Sequence, residues 1–151
     1  TLGDKIDYAN NRLGDFKQFQ PNLTFNLTDH LELDRFYTYS KLDADNANVY
    51  TANLADVRIS YQFDVQSYLK LSVVYSDTQR NPLNNPMTNN GAYFTERDKS
   101  LSTQLIYSYK LNPQTVFFLG YSDNSYQDDD LMKLERNERT FFTKISYAWM
   151  P

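Results

Sequence analysis

Arg139-Thr-Phe-Phe-Thr-Lys-Ile-Ser-Tyr-Ala-Trp149 alternates along its whole length. Phe141, Thr143, Ile145, Tyr147 and Trp149 form one set. Thr140, Lys144, Ser146 and Ala148 form the other, with Phe142 as the exception. A period of two places successive side chains on opposite faces of a strand, here one greasy and one wet. An aromatic close to the chain end is also how the closing strand of an outer-membrane β-barrel looks. The expectation is therefore an all-β, antiparallel up-and-down transmembrane barrel of about eight strands.

The composition agrees with that reading. Aromatic residues make up 16% of the chain, with 13 Tyr and 10 Phe against 1 Trp, yet mean hydropathy is −0.68. No apolar run is long enough for a membrane helix. A membrane barrel escapes that test, because alternation hides its apolar face within a polar average. Lys and Arg number 15 against 19 Asp and Glu, a net charge of −4, so no basic footprint for nucleic acid is present. Cysteine is absent, which removes disulfides and thiol chemistry. At 151 residues the length fits a single domain, residues 1–151. A start at Thr1 without a signal peptide suggests a mature form or a piece of something longer.

The other strands are read outward from the last. Leu2 to Ala9 is a weak first strand, followed by a turn over Asn10 to Gly14. Phe19, Leu23, Phe25 and Leu27 share a face in the second strand, where Pro21 interrupts the ladder as a bulge or an edge. Asp29-His30 turns into a third strand carrying Leu31, Leu33, Tyr37 and Tyr39, and Asp43 to Asn48 reads as a polar loop. A fourth strand runs from about Val49 to Phe63, and the fifth carries Leu69, Leu71, Val73 and Tyr75. A long loop follows, Asp77 to Ala92, with Pro82 and Pro86. Leu101 to Tyr109 lie in the sixth strand and Thr115 to Tyr121 in the seventh; Asp123 to Glu138 is the second long loop. Short turns on one side and long loops on the other are the outer-membrane pattern, short side periplasmic and long side extracellular. Two aromatic girdles are expected: Phe63, Tyr109 and Trp149 at the short-turn level, and Tyr37, Tyr39, Tyr75 and Tyr121 at the long-loop level.

The opposite faces carry charge at Glu32, Asp34, Asp56, Arg58, Lys70, Lys110 and Lys144. In a closed barrel of eight strands the interior is filled by side chains, so these groups would pair and plug it; in a wider barrel they would line a channel. His30, the only histidine, falls in a turn at the short-turn end and is read as solvated rather than catalytic. Asp123, Asp128, Asp129, Asp130 and Glu135 lack the spacing and glycine of an EF-hand loop. They read as a solvated loop that meets lipopolysaccharide through divalent ions. No cofactor is implied.

Two runs carry a family likeness: Thr51-Ala-Asn-Leu-Ala-Asp-Val-Arg-Ile-Ser-Tyr-Gln-Phe63 and Tyr107-Ser-Tyr-Lys-Leu-Asn-Pro-Gln-Thr-Val-Phe-Phe-Leu-Gly-Tyr-Ser-Asp-Asn124. They resemble the C-terminal barrel of a family of uncharacterised Gram-negative envelope proteins, whose N-terminal domain is similar to carbohydrate-binding family 9. The resemblance spans essentially the whole chain and includes no catalytic signature. It implies the bacterial outer membrane and a longer parent chain. The partners expected there are outer-membrane lipids, lipopolysaccharide, the barrel-insertion machinery during assembly and other envelope proteins. The competing expectation is a soluble β-barrel that turns the same apolar faces inward around a small apolar ligand; an outer-membrane enzyme is the remote third.

Overall fold

The computed structural model describes residues 1–85, 95–130 and 132–148. Nine antiparallel strands form one sheet: β1 (Leu2–Asp7), β2 (Arg12–Phe19), β3 (Asn22–Thr28), β4 (Leu31–Ala44), β5 (Ala47–Gln62), β6 (Ser67–Arg80), β7 (Arg97–Asn112), β8 (Thr115–Gln127) and β9 (Glu135–Tyr147). The order is β1-β2-β4-β5-β6-β7-β8-β9, with β3 also paired to β4. The meander is that of eight strands with the second broken. β2 covers the later part of β4, from Tyr39 to Asp43, and β3 covers Leu31 to Phe36. The break falls at Gln20-Pro21, where proline has no N–H to donate to the ladder; the Pro21 carbonyl still accepts from Tyr37 N at 3.1 Å.

Several boundaries differ from those the sequence suggests. Asp43 to Asn48 is no loop. Ala44 pairs with Ala47, and Asp45 and Asn46 make the turn with φ of 53° and 60°, a left-handed pair suited to a two-residue hairpin. The first turn sits earlier than Asn10 to Gly14, since β2 already begins at Arg12. The long loops are shorter, because β6 runs to Arg80, β8 to Gln127, and β9 starts at Glu135.

Closure is the main correction. No ladder joins β1 to β9 among the described residues, and the sheet ends on those two strands. The mismatch is physical: β1 has 6 residues and β9 has 13, so β1 could cover less than half of the β9 edge. All of β9, all of β3 and all of β1 except Asp7 are exposed. The chain exposes 10614 Å², whereas a compact monomer of 17.8 kDa would expose about 8,000 Å². A single-layer sheet with no covering layer among the described residues explains the excess.

Among the described residues the buried cluster is small: Leu42, Ala44 and Val49, flanked by Phe16 and Tyr50. It lies at the end of the sheet that carries the segments after β6 and β8, here the loop end; the opposite, turn end carries residues 29–30, 63–66 and 113–114. Gly14 permits the packing, since a Cβ there would lie 2.7 Å from the Asp43 carbonyl oxygen. After β6 a short 3-10 turn, Pro82–Asn84, crosses above β5 and β4. Asn84 Nδ2 donates to the Ala44 and Ala47 carbonyls at 2.9 and 3.0 Å, and Asn85 Nδ2 to the Val49 carbonyl at 3.0 Å. Arg12 reaches Asn84 from β2 while pairing with Asp7 at 3.1 Å and Asp45 at 2.6 Å. This clasp ties four strands together at the rim.

Candidate functional site: two faces of one sheet

Cross-strand register sorts the side chains into two faces. Leu33, Ile59, Leu71, Leu105, Tyr121 and Phe141 lie in one continuous row from β4 to β9. Rows above and below it add Leu31, Tyr61, Leu69, Tyr107 and Leu119 on one side, and Val57 and Val73 on the other. Phe25 on β3 extends the row beyond β4. On β4 the band spans Leu31 to Tyr39 and on β7 Leu101 to Tyr109, nine residues each, close to the 9–11 that a tilted strand needs to cross a bilayer. Among the described residues no element packs over this face: Phe19, Phe25, Leu119, Phe141 and Ile145 are all exposed. Soluble monomers rarely leave so large an apolar patch open.

The upper border of the band slants across the ladder. Apart from Arg35 inside the band, its first charged residue is Lys41 on β4, Asp77 on β6, Lys99 on β7, Asp123 on β8 and Arg139 on β9. The row through Arg139 passes Asp123, Thr103, Val73 and Val57 and reaches β4 at Arg35, six residues short of Lys41, over five strands. At about 3.3 Å per residue and about 4.8 Å between strands, that slope tilts the strands by roughly 40° from the normal to the band. Strands of membrane barrels tilt by about 35–45°.

The girdle positions fall at the band's edges. Tyr37 and Tyr39 on β4, Tyr75 on β6 and Tyr121 on β8 share the apolar face toward the loop end. The Tyr37 hydroxyl meets Asn53 Oδ1 at 2.7 Å and the Tyr121 hydroxyl donates to Asp123 Oδ2 at 2.9 Å, so the rings sit in the band and the hydroxyls at its polar rim. At the turn end Tyr109 pairs across from Phe117, and the Phe63 ring lies 4.8 Å from that of Tyr61 and 6.4 Å from that of Tyr107. Trp149 lies outside the described residues. One residue breaks the band: Arg35, exposed at its middle on β4 between Leu23 and Val57. Sequence alternation counts around it, and only the register reveals its central height.

The other face is polar, and Glu32, Asp34, Asp56, Arg58, Lys70 and Lys144 all lie on it. They do not pair throughout, as a plug would require. Arg58 holds Asp56 at 2.7 Å, and Asp34 accepts from the Thr24 hydroxyl at 2.6 Å. Among the described residues no ion pair engages Glu32, Lys70 or Lys144. An open sheet leaves these groups facing solvent, so they have no desolvation cost to offset. A depression of about 430 Å³ between Asn22, Asp34, Phe36, Leu54, Asp56 and Arg58 runs along this face. Phe142, the sequence exception, has its role here: it lies opposite Gly120, and a Cβ on that glycine would come within 2.1 Å of the ring.

His30 sits in the exposed turn before β4, its carbonyl accepting from Gln62 N at 2.7 Å. The acidic loop disperses its carboxylates. Asp129 accepts from the amides of Glu96 and Arg97, and Asp128 from that of Asp130 at 3.1 Å. Among the described residues no three His, Asp or Glu side chains gather as metal ligands would. Compared with protein-family models, curated proteins and solved structures, the chain matches nothing.

Proposed function

We propose that this chain forms part of the wall of a bacterial outer-membrane β-barrel, with an anchoring or passage role and no catalytic chemistry of its own. The observation that carries the reading is the uncovered apolar band, which crosses the sheet from β3 to β9 and is bordered by tyrosines and then by charge. Lipid removes that band from water at about 25 cal/mol per Å². The strand slope derived above supports the same setting, which is also the one the family resemblance implies. The long-loop end faces outside and the turn end faces the periplasm.

In lipid every unpaired backbone group costs several kcal/mol, so the free edges at β1, β3 and β9 take further strands. The barrel is then wider than eight strands, and its polar face lines a passage instead of plugging it. Asp34, Asp56, Arg58 and Lys70 are the charges a solute would meet there.

Single-cysteine labelling tests this in a chain with no cysteine of its own. In cells, Leu71→Cys and Ile145→Cys are shielded from polar thiol reagents, while Met132→Cys, fully exposed beyond β8, reacts from outside. The protein also stays with membranes through a carbonate wash. Ready labelling at Ile145 with release by carbonate would reject the membrane and favour a soluble binder.

A further inference from the structure

On the apolar-face side, above the band, β6 to β9 gather four cations around two carboxylates. Arg97 clamps Asp77 with two bonds of 3.0 and 2.7 Å, and Lys99 stands directly across from the same Asp77. Arg136 holds Asp123 at 2.6 Å, and Arg139, its cross-strand partner, approaches it at 3.6 Å. The carboxylates lie beneath, with Asp77 17% and Asp123 15% exposed, while Arg97, Arg136 and Arg139 are 50%, 56% and 46% exposed. Each acid thus faces two bases, so the cluster's own four cations outnumber its two carboxylates in a chain whose net charge is −4, with Asp129 adjoining it at the Arg97 amide at 2.8 Å.

The placement says what complements it. The cluster begins where the band ends, just beyond Tyr75 and Tyr121, so its occupant has acyl chains below and anionic oxygens above. The two pairs, Arg97 with Lys99 on β7 and Arg136 with Arg139 on β9, stand two strands apart, about 10 Å across the sheet, and the β9 pair is level with Leu101 and Thr103, two to six residues nearer the turn end in register. The band's slant offsets part of that displacement. Guanidinium and ammonium groups in such pairs suit phosphate oxygens. Resting on the outer-membrane reading above, we propose that this cluster binds the headgroup of a bisphosphorylated lipid A-type glycolipid in the outward leaflet. Each pair takes one phosphate directly, without a bridging divalent ion.

The test compares wild type with Lys99→Gln/Arg139→Gln, which leaves Arg97 on Asp77 and Arg136 on Asp123. Both are produced in Gram-negative cells, extracted with their surrounding lipid in polymer-bounded membrane discs, and analysed for co-purifying lipid by mass spectrometry. Wild type enriches bisphosphorylated lipid A over bulk membrane, over its monophosphorylated form and over phosphatidylglycerol, and keeps it through chelation by EDTA. The double variant inserts equally, judged by heat-modifiable folded protein, and loses about tenfold of the enrichment. Equal enrichment in both proteins, no enrichment in wild type, or loss on chelation overturns the proposal while leaving the barrel wall intact. Absence of wild type from the outer membrane overturns the barrel reading and the proposal with it.

Discussion

Arg35 is the residue at which the membrane reading is most exposed to refutation. An arginine at the middle of a lipid face costs about 2–4 kcal/mol, and no side chain among the described residues forms an ion pair with Arg35. Its length lets the guanidinium rise toward the polar border while the stem stays in the band. Arg35→Leu is therefore expected to stabilise the membrane-inserted protein by about 2–4 kcal/mol in urea titration. A fall in stability would place Arg35 against a protein partner instead. The Phe142–Gly120 pair teaches a related lesson about sequence. An aromatic on the wrong parity reads as noise until the glycine opposite is known, and that pairing is long-range information that alternation does not hold. The same limit hid the cation cluster: Arg97, Lys99, Arg136 and Arg139 lie in segments that look like loop edges, and only register brings them to one place.

At the scale of elements, strands were legible wherever one face is apolar, from Leu31 to Tyr39, Leu69 to Tyr75 and Phe141 to Tyr147. They were illegible where they continue past the band. Thr78 to Arg80, Asn124 to Gln127 and Glu135 to Glu138 are strand but polar on both faces, and periodicity reports what a side chain faces, not whether its backbone is paired. Turns follow local chemistry instead, and one of them titrates. Asp64 Oδ1 accepts from the amides of Gln66 and Ser67 at 2.7 and 2.8 Å. Those bonds, the one from Gln66 foremost, hold its carboxyl below the ordinary aspartate value. Because the folded value is depressed, the contribution is present above the unfolded pKa of about 3.9 and is lost as pH falls through the folded one. Amide exchange at Gln66 and Ser67 should therefore speed up, relative to its intrinsic rate, below about pH 4. In Asp64→Ala the exchange is already fast at neutral pH, and the acid dependence disappears; an unchanged profile would show that the turn holds without the carboxylate.

For the whole molecule, the meander followed from the sequence, while closure and the placement of the first chain end did not: Leu2 pairs with Lys17 opposite Lys41, toward the loop end, and only the last described residues lie at the turn end. Counting eight strands leaves open whether the first can satisfy the last, because an even number permits closure without requiring it. The deciding quantity is edge length. β1 offers 6 residues and β9 needs partners for 13, while β3 leaves a second free edge at the turn end. Pairing β1 with β9 would leave more than half of β9 unpaired in lipid, at several kcal/mol for each unsatisfied group; further strands along both edges remove that cost. A disulfide needs Cα atoms within about 7 Å, so cysteines report closure directly in this chain. Ile6→Cys combined in turn with cysteine at each position of β9, from Glu135 to Tyr147, is expected to give no bridge within one chain in membranes under oxidising conditions. The positive control is Leu71→Cys with Leu105→Cys, neighbours across the β6–β7 ladder, which bridges. A bridge from Ile6 to any β9 position would restore the closed eight-stranded barrel, and with it a lumen too narrow for water to pass. Without that bridge the proposal of a wider barrel stands, and exchanging the charges of Asp56, Arg58 and Lys70 is expected to change the ion selectivity of the passage it implies.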